Sequence, residues 1–175
     1  MEVRILTEAD AEAFWNIRLR ALRDDPESFG ATFDEFLERG IAGAAQGLRK
    51  RPTSPDDVTF GAFERTIVGI AGFRREEAVK RRHKGIIWGM YVPREMRGKG
   101  TGKALLEAAI AYARTLPGLE QINVSVVITS KEAHRLFQAL GFETYGLERH
   151  ALKLNNKYFD QELMTLWLTP PGNTP

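Results

Sequence analysis

The segment Arg97-Gly98-Lys99-Gly100-Thr101-Gly102-Lys103 constrains this chain more than any other. It follows a strand-like run, Gly85 to Val92, and opens a strongly helical one, Thr101 to Arg114, with Leu105, Ala109, Tyr112 and Leu116 on one face. Three glycines within five positions let the backbone turn sharply and approach a ligand closely. A helix start presents unpaired N–H groups and the positive end of the helix dipole, and Arg97, Lys99 and Lys103 add cations. Such a loop is a cradle for a pyrophosphate. It is not a Walker loop, because Arg97 stands where a glycine is needed and Ala104 where a hydroxyl is needed. It is not a dinucleotide fingerprint either. Lys103 fills the last glycine position, and the preceding strands read as a meander rather than as the start of a parallel βαβ unit.

The rest of the pattern is mixed α/β. Glu2 to Leu6 alternates polar and apolar as a first strand. Thr7, with Asp10 three residues on, forms a capping-box pattern opening a helix whose apolar face carries Phe14, Ile17, Leu19, Ala21 and Leu22. Asp24-Asp25-Pro26 stops that helix. Thr32 to Ala45 is predicted as a second helix, and Gln46 to Asp57, with Gly47, Pro52 and Pro55, as an exposed loop. Val58 to Glu64, Ile67 to Arg75 and Gly85 to Val92 predict an antiparallel meander, with the basic run Lys80 to Lys84 as a solvated tip between strands. Gln121 to Ile128 is a β-branched strand. Thr129 or Ser130 caps a helix through Leu140, Gly141 stops it, and Glu143 to Leu154 and Glu162 to Leu168 form a last strand pair. The expectation is one domain over 1–168, with a fraying tail over 169–175.

Composition excludes several classes. The 175 residues contain no cysteine, so disulfides, thiolate metal sites and cysteine nucleophiles are ruled out. Twenty-five Lys and Arg against 23 Asp and Glu leave a net charge of +2, without the patterned surplus of a nucleic-acid binder. No His/Asp/Glu grouping has metal-ligand spacing, and His83, His134 and His150 show no catalytic triad signature. Trp15, Trp88 and Trp167 are expected in the core or an interface, and His134 at an exposed helix position. The apolar runs are too short to cross a bilayer and no secretory signal is visible, so the expectation is a cytoplasmic protein without nucleic-acid or membrane partners.

Two motifs carry a family resemblance. Val92-Pro93 followed by Arg97, Gly98, Gly100 and Gly102 is similar to the acyl-CoA loop of the GCN5-related N-acetyltransferases (GNAT superfamily). Ala133, Leu136, Phe137, Leu140, Gly141 and Phe142 resemble that family's second motif helix and its following Gly-Phe. The stretch from Gly146 through Tyr158, Asp160 and Met164 fits its closing strands. The resemblance implies a largely antiparallel central sheet flanked by helices, with a splayed strand pair holding acetyl-CoA. It implies that backbone groups of Met90 and Val92 pair with the pantetheine arm, and that the amides of Gly98, Lys99, Gly100, Thr101, Gly102 and Lys103 bind the pyrophosphate. It also implies that an amide at Met90 or Tyr91 stabilises the oxyanion. Gly89 is the residue that would permit a bulge there.

The sequence departs from the family at Ser130, often asparagine, and at Phe137, often the tyrosine that protonates the departing thiolate. Phe137 has no proton to give and is expected to pack against CoA or the sheet; solvent, Ser130 or Tyr145 are the substitutes. Ser130 and Phe137 stand among the residues expected to bind the cofactor. Glu35, Glu38 and Glu64 are the candidate general bases for a primary amine acceptor, small molecule or protein. The absence of cysteine favours direct attack in a ternary complex. The resemblance leaves a homodimer open. The alternative reading is a non-catalytic acyl-CoA-binding module.

Overall fold

The computed structural model describes residues 1–49 and 55–169. Seven strands form one sheet: β1 (Glu2–Ile5), β2 (Asp57–Phe63), β3 (Ile67–Arg75), β4 (Lys84–Tyr91), β5 (Gln121–Val127), β6 (Glu143–Leu154) and β7 (Lys157–Trp167). Four helices flank it: α1 (Ala11–Asp24), α2 (Phe33–Arg49), α3 (Thr101–Thr115) and α4 (Lys131–Ala139). The sheet order is β1-β2-β3-β4-β5-β7-β6. Every recorded pairing is antiparallel except β4 with β5, which is parallel. No helix among the described residues is long and apolar enough to cross a membrane.

Two cores lie on the sheet's two faces. One gathers strand residues such as Phe73 and Ile122 with Leu105, Leu106 and Ala109 of α3 and Phe137 of α4. The other gathers Leu6, Phe14, Ile17, Leu48, Ile70 and Tyr91, joining α1 and α2 to the opposite face. The opening turn forms as its sequence pattern predicts: Asp10 Oδ2 accepts the Thr7 N–H at 2.8 Å and the Thr7 hydroxyl at 3.1 Å, while Arg4 holds both carboxylate oxygens at 2.7 and 2.8 Å.

Two boundaries differ from expectation. α2 runs on to Arg49, so Gln46 to Arg49 is helix rather than loop; the remainder of the expected loop over 50–54 lies outside the described residues. A helical Gly47 costs about 1 kcal/mol relative to alanine. Full burial of Leu48 is worth about 2 kcal/mol and outweighs it. Gly40, at φ 61° and ψ −178°, breaks the helix within its length. At the other end of the chain, β7 begins at Lys157 rather than Glu162. Asn155 and Asn156 both take positive φ (48° and 61°), making a two-residue turn that pairs Leu154 with Lys157. Of the expected tail over 169–175, residues 170–175 lie outside the described residues. The basic run falls between β3 and β4 up to His83, with Lys84 opening β4, and Arg82 bonds Asp56 at 2.7 Å.

Candidate active site

The parallel β4 and β5 pair only from Lys84 with Gln121 to Ile86 with Asn123. Beyond that level the two strands separate. The cause lies on the other edge of β4, where Gly72 pairs with Trp88 and Ile70 with Tyr91. Gly89 and Met90 therefore stand against the single Ala71, a β-bulge that bends β4 away from β5. Gly89 takes φ +61°, a conformation open to glycine and strained for other residues. The expected bulge is thus present at the expected residue.

The loop that follows closes the wide end of this opening. Arg94–Met96 makes a 3-10 turn, Gly98 and Gly100 take φ +74° and +84°, and Gly100 caps α3. An added Cβ on either glycine would meet nothing within 4 Å. Their need is backbone conformation at an open surface. The first helical bond of α3 runs from the Ala104 N–H to the Gly100 carbonyl at 3.0 Å, so the amides of Thr101, Gly102 and Lys103 precede the helical ladder. Gly102 faces the Met90 and Leu136 side chains; a Cβ there would lie 3.0 Å from each. Loop, bulge and α4 thus converge on one face of the opening.

Arg97 has a different task from the one expected of it. Its Nε donates to the Val92 carbonyl at 2.9 Å and its Nη2 pairs with Asp25. Lys99 and Lys103 are left as the loop's outward cations; Lys103 makes a loose 3.7 Å contact with Glu107. Of the Val92 backbone groups expected to pair with a pantetheine arm, the carbonyl is engaged by Arg97. Around this bond runs a clamp between loop and α1. Arg20 holds Glu95 at 2.7 and 2.8 Å, and Arg94 bonds the Asp24 carbonyl at 3.1 Å. The Tyr91 hydroxyl donates to Asp24 at 2.6 Å. Burial and that bond push the Tyr91 phenol up, and the same bond, with Arg20, holds Asp24 below its usual range. Sequence reading took Asp24-Asp25-Pro26 only as a helix stop.

The remaining expected residues divide. Ser130 heads α4, but its hydroxyl makes no cap bond and lies 3.4 Å from the Ser28 hydroxyl, on the α1–α2 connection that crosses beside β5 and β6. Phe137 is 3% exposed. α4 ends in a motif where the Phe142 N–H reaches the Phe137 carbonyl at 3.1 Å and the Gly141 N–H reaches Gln138 at 3.0 Å. The Phe137 and Phe142 rings pack edge to face, 5.1 Å apart, as the apolar contact of that motif. Phe137 is a core side chain. Tyr145 is 57% exposed on β6, the sheet edge, with β7 between it and β5. The fold does not bring it to the opening.

Glu35 accepts the Thr32 N–H at 2.8 Å and the Thr32 hydroxyl at 2.9 Å, while Thr32 Oγ1 accepts the Glu35 N–H at 3.2 Å. This reciprocal cap lowers its pKa and its strength as a base. Glu38 lies further along α2 and is exposed. Glu64 sits in the β2–β3 turn, on a depression of about 480 Å³ that Arg20, Pro93 and Glu95 also line. His134 is half-buried against Glu162 of β7, rather than exposed. Trp167 is 38% exposed at the end of β7. Among the described residues no three His, Asp or Glu side chains converge as a metal centre requires.

Sequence reasoning missed Arg18. It occupies the buried face of α1 and is 7% exposed, with its Cζ 4.4 Å from the centre of the Phe29 ring. Burial brings its pKa down to about 10. Its position between Ile17 and Ala21 on the apolar stripe was the available signal.

Residues 11–142 match the acetyltransferase (GNAT) family. The chain is 30% identical over 146 residues to a mycothiol acetyltransferase of Thermobispora bispora, covering 79% of this chain and 45% of that protein. It is 29% identical over 119 residues to the ribosomal protein uS5 alanine N-acetyltransferase of Escherichia coli, covering 66% and 59%. The chain therefore spans about half the length of these curated relatives. A GNAT-family acetyltransferase from Streptococcus pneumoniae superposes with a TM-score of 0.86 at 22% identity, over 95% of this chain and 99% of that one. A putative acetyltransferase from Salmonella typhimurium, solved with its cofactor acetyl-CoA, gives 0.81 at 20% identity, over 100% and 98%. The family match over residues 11–142 and the bulge-splayed parallel pair ending in a glycine-rich helix start agree, and the chain belongs to the acetyltransferase (GNAT) family.

Proposed function

We propose that this protein transfers an acetyl group from acetyl-CoA to a primary amine by direct attack in a ternary complex. The observation that carries this reading is the bulge at Gly89 and Met90, which parts β4 from β5 just ahead of the positive-φ loop. The residues present fit acetyl-CoA. The amides of Gly98 to Lys103, with Lys99 and Lys103, suit the pyrophosphate. The apolar patch of Met90 and Leu136 beside Gly102 suits the adjoining arm. Acetyl-CoA supplies an activated thioester carbonyl.

The register skips Met90, which favours its amide as the donor to the oxygen on which charge develops. The acceptor ammonium loses one proton to water. The amine nitrogen then bonds to the carbonyl carbon, the carbon–sulfur bond breaks, and the second nitrogen proton goes to the thiolate. The products are an N-acetyl amine, CoA and one released proton. The cap on Glu35, the buried Phe137 and the remote Tyr145 support solvent as the proton carrier over any of these three side chains.

The test is thiol release from acetyl-CoA, followed with a thiol-reactive dye across polyamines, amino acids, aminoglycosides and short peptides. The chain has no cysteine, so each thiol detected is CoA. Amine-dependent release is expected. Binding of acetyl-CoA without release on any amine would instead favour a non-catalytic acyl-CoA-binding module.

A further inference from the structure

Among the described residues, the buried Arg18 guanidinium has no partner of opposite charge. Its Nη1 has no hydrogen-bond partner among the described residues, and no carboxylate contributes to its pKa. An unpaired buried charge costs more than a cation–π contact such as that with Phe29 returns. Other arginines of the same region are satisfied: Arg20 by Glu95, Arg94 by the Asp24 carbonyl and Arg97 by Asp25.

The position of this unspent cation is specific. A Cβ built on Gly89 would lie 3.4 Å from Nη1, 3.6 Å from Cζ and 3.9 Å from Nη2 of Arg18. The guanidinium therefore rests against the bulge itself, from the side of α1. Met90, the next residue, packs with the opposite core and, like Leu136, faces Gly102. The bulge thus has an apolar patch beside the glycine loop on one face and a buried cation on the other. Phe29, half-buried in the α1–α2 connection, covers the guanidinium.

We propose that Arg18 recognises the acceptor, and that the acceptor is an amine bearing a carboxylate. This rests on the acetyltransferase reading above. A guanidinium offers paired, coplanar N–H donors that match the two oxygens of a carboxylate. A carboxylate held there places the rest of its molecule at the bulge where the amine must attack. A free amino acid and a peptide carboxylate present the same group, and the two are separated by experiment.

Calorimetric titration of the CoA-saturated protein needs no turnover. The probes are N-acetyl derivatives of glycine, alanine, leucine, phenylalanine and glutamate, each with its primary amide. At least one acid is expected to bind about tenfold or more tightly than its amide. Arg18→Gln and Arg18→Lys are expected to remove most of that difference while leaving CoA affinity unchanged. Arg18→Gln is also expected not to lower Tm, since it deletes an unpaired buried charge. The acid–amide comparison on the unaltered protein stands even if neither variant folds. Thiol release with free amino acids, amino-acid amides and dipeptides then separates the two carboxylate sources.

Equal binding of acids and amides, or binding of none while CoA binds, overturns the proposal and leaves acetyl transfer standing. So does weakened CoA affinity in Arg18→Gln, which would put the guanidinium against CoA. Failure of CoA itself to bind would overturn the acetyltransferase reading, and this proposal with it.

Discussion

Phe137 shows how one side chain can match a motif and still lose the motif's chemistry. Its ring is the apolar contact of a helix-ending motif with Phe142, so restoring a hydroxyl there adds a polar group to a packed site. Phe137→Tyr is expected to cost about 1–3 kcal/mol, read as a lower Tm, and to give no rise in kcat. A faster enzyme with an unchanged Tm would mean that the ring does reach the reacting atoms. Gly100 is the converse case, legible from sequence and required by geometry. Gly100→Ala forces a left-handed φ on an L-residue at about 1–2 kcal/mol, with no clash to add to it. Weaker acetyl-CoA binding with little change in the far sheet is the expected result, checked by titration and by hydrogen exchange. The cap on Glu35 was equally written in the sequence, as Thr32 and Glu35 three residues apart, yet the same carboxylate also qualified as a base. Only the hydrogen-bond partners separated these roles.

At the scale of elements, the glycine loop is held through bonds to α1 and to Asp25, the residue that ends that helix. Arg97 ties it to Val92 and Asp25, Arg20 ties it to Glu95, and Tyr91 ties β4 to Asp24. Apart from the Arg97–Val92 bond, these contacts join segments some 70 positions apart in the chain, and no local pattern announces them. Asp25→Asn removes the charge that Arg97 faces. The stability cost of so exposed a pair is expected to stay near or below about 1 kcal/mol. The KM for acetyl-CoA is expected to rise several-fold, because the loop loses its tether, while kcat at saturating acetyl-CoA changes little. An unchanged KM would assign the clamp to stability alone. The β6–β7 turn failed for a different reason. Asn155-Asn156 carries no glycine, and recognising it requires knowing that asparagine accepts positive φ at both positions.

Across the whole molecule, carboxylates with lowered pKa values tie the outer elements together. Arg4 and the Thr7 bonds bring Asp10 from an ordinary 3.8 down to about 2, and Asp24 is lowered by Tyr91 and Arg20. A group with a depressed folded pKa contributes stability that is fully present above its unfolded value and lost as pH falls through the folded one. Stability is therefore expected to decline between about pH 4 and pH 2. Asp10→Asn should be less stable near neutrality, by about 1 kcal/mol for the weakened cap, with a flatter decline over that window. Denaturant melts at stepped pH check both statements, and a parallel decline in the two proteins would remove Asp10 from the account.

The order of strands and helices, the helix-start loop and the bulge glycine were determined by the sequence alone. Each rests on local rules of apolar period, capping and φ > 0 that act within a few residues. Three things were decided only by tertiary structure: the burial of Phe137, the remoteness of Tyr145 and, among the described residues, the unpaired cation at Arg18. Each depends on which groups from distant parts of the chain arrive at the same place. A side chain's chemistry follows from its partners, and a linear sequence specifies those only through the packing of the whole.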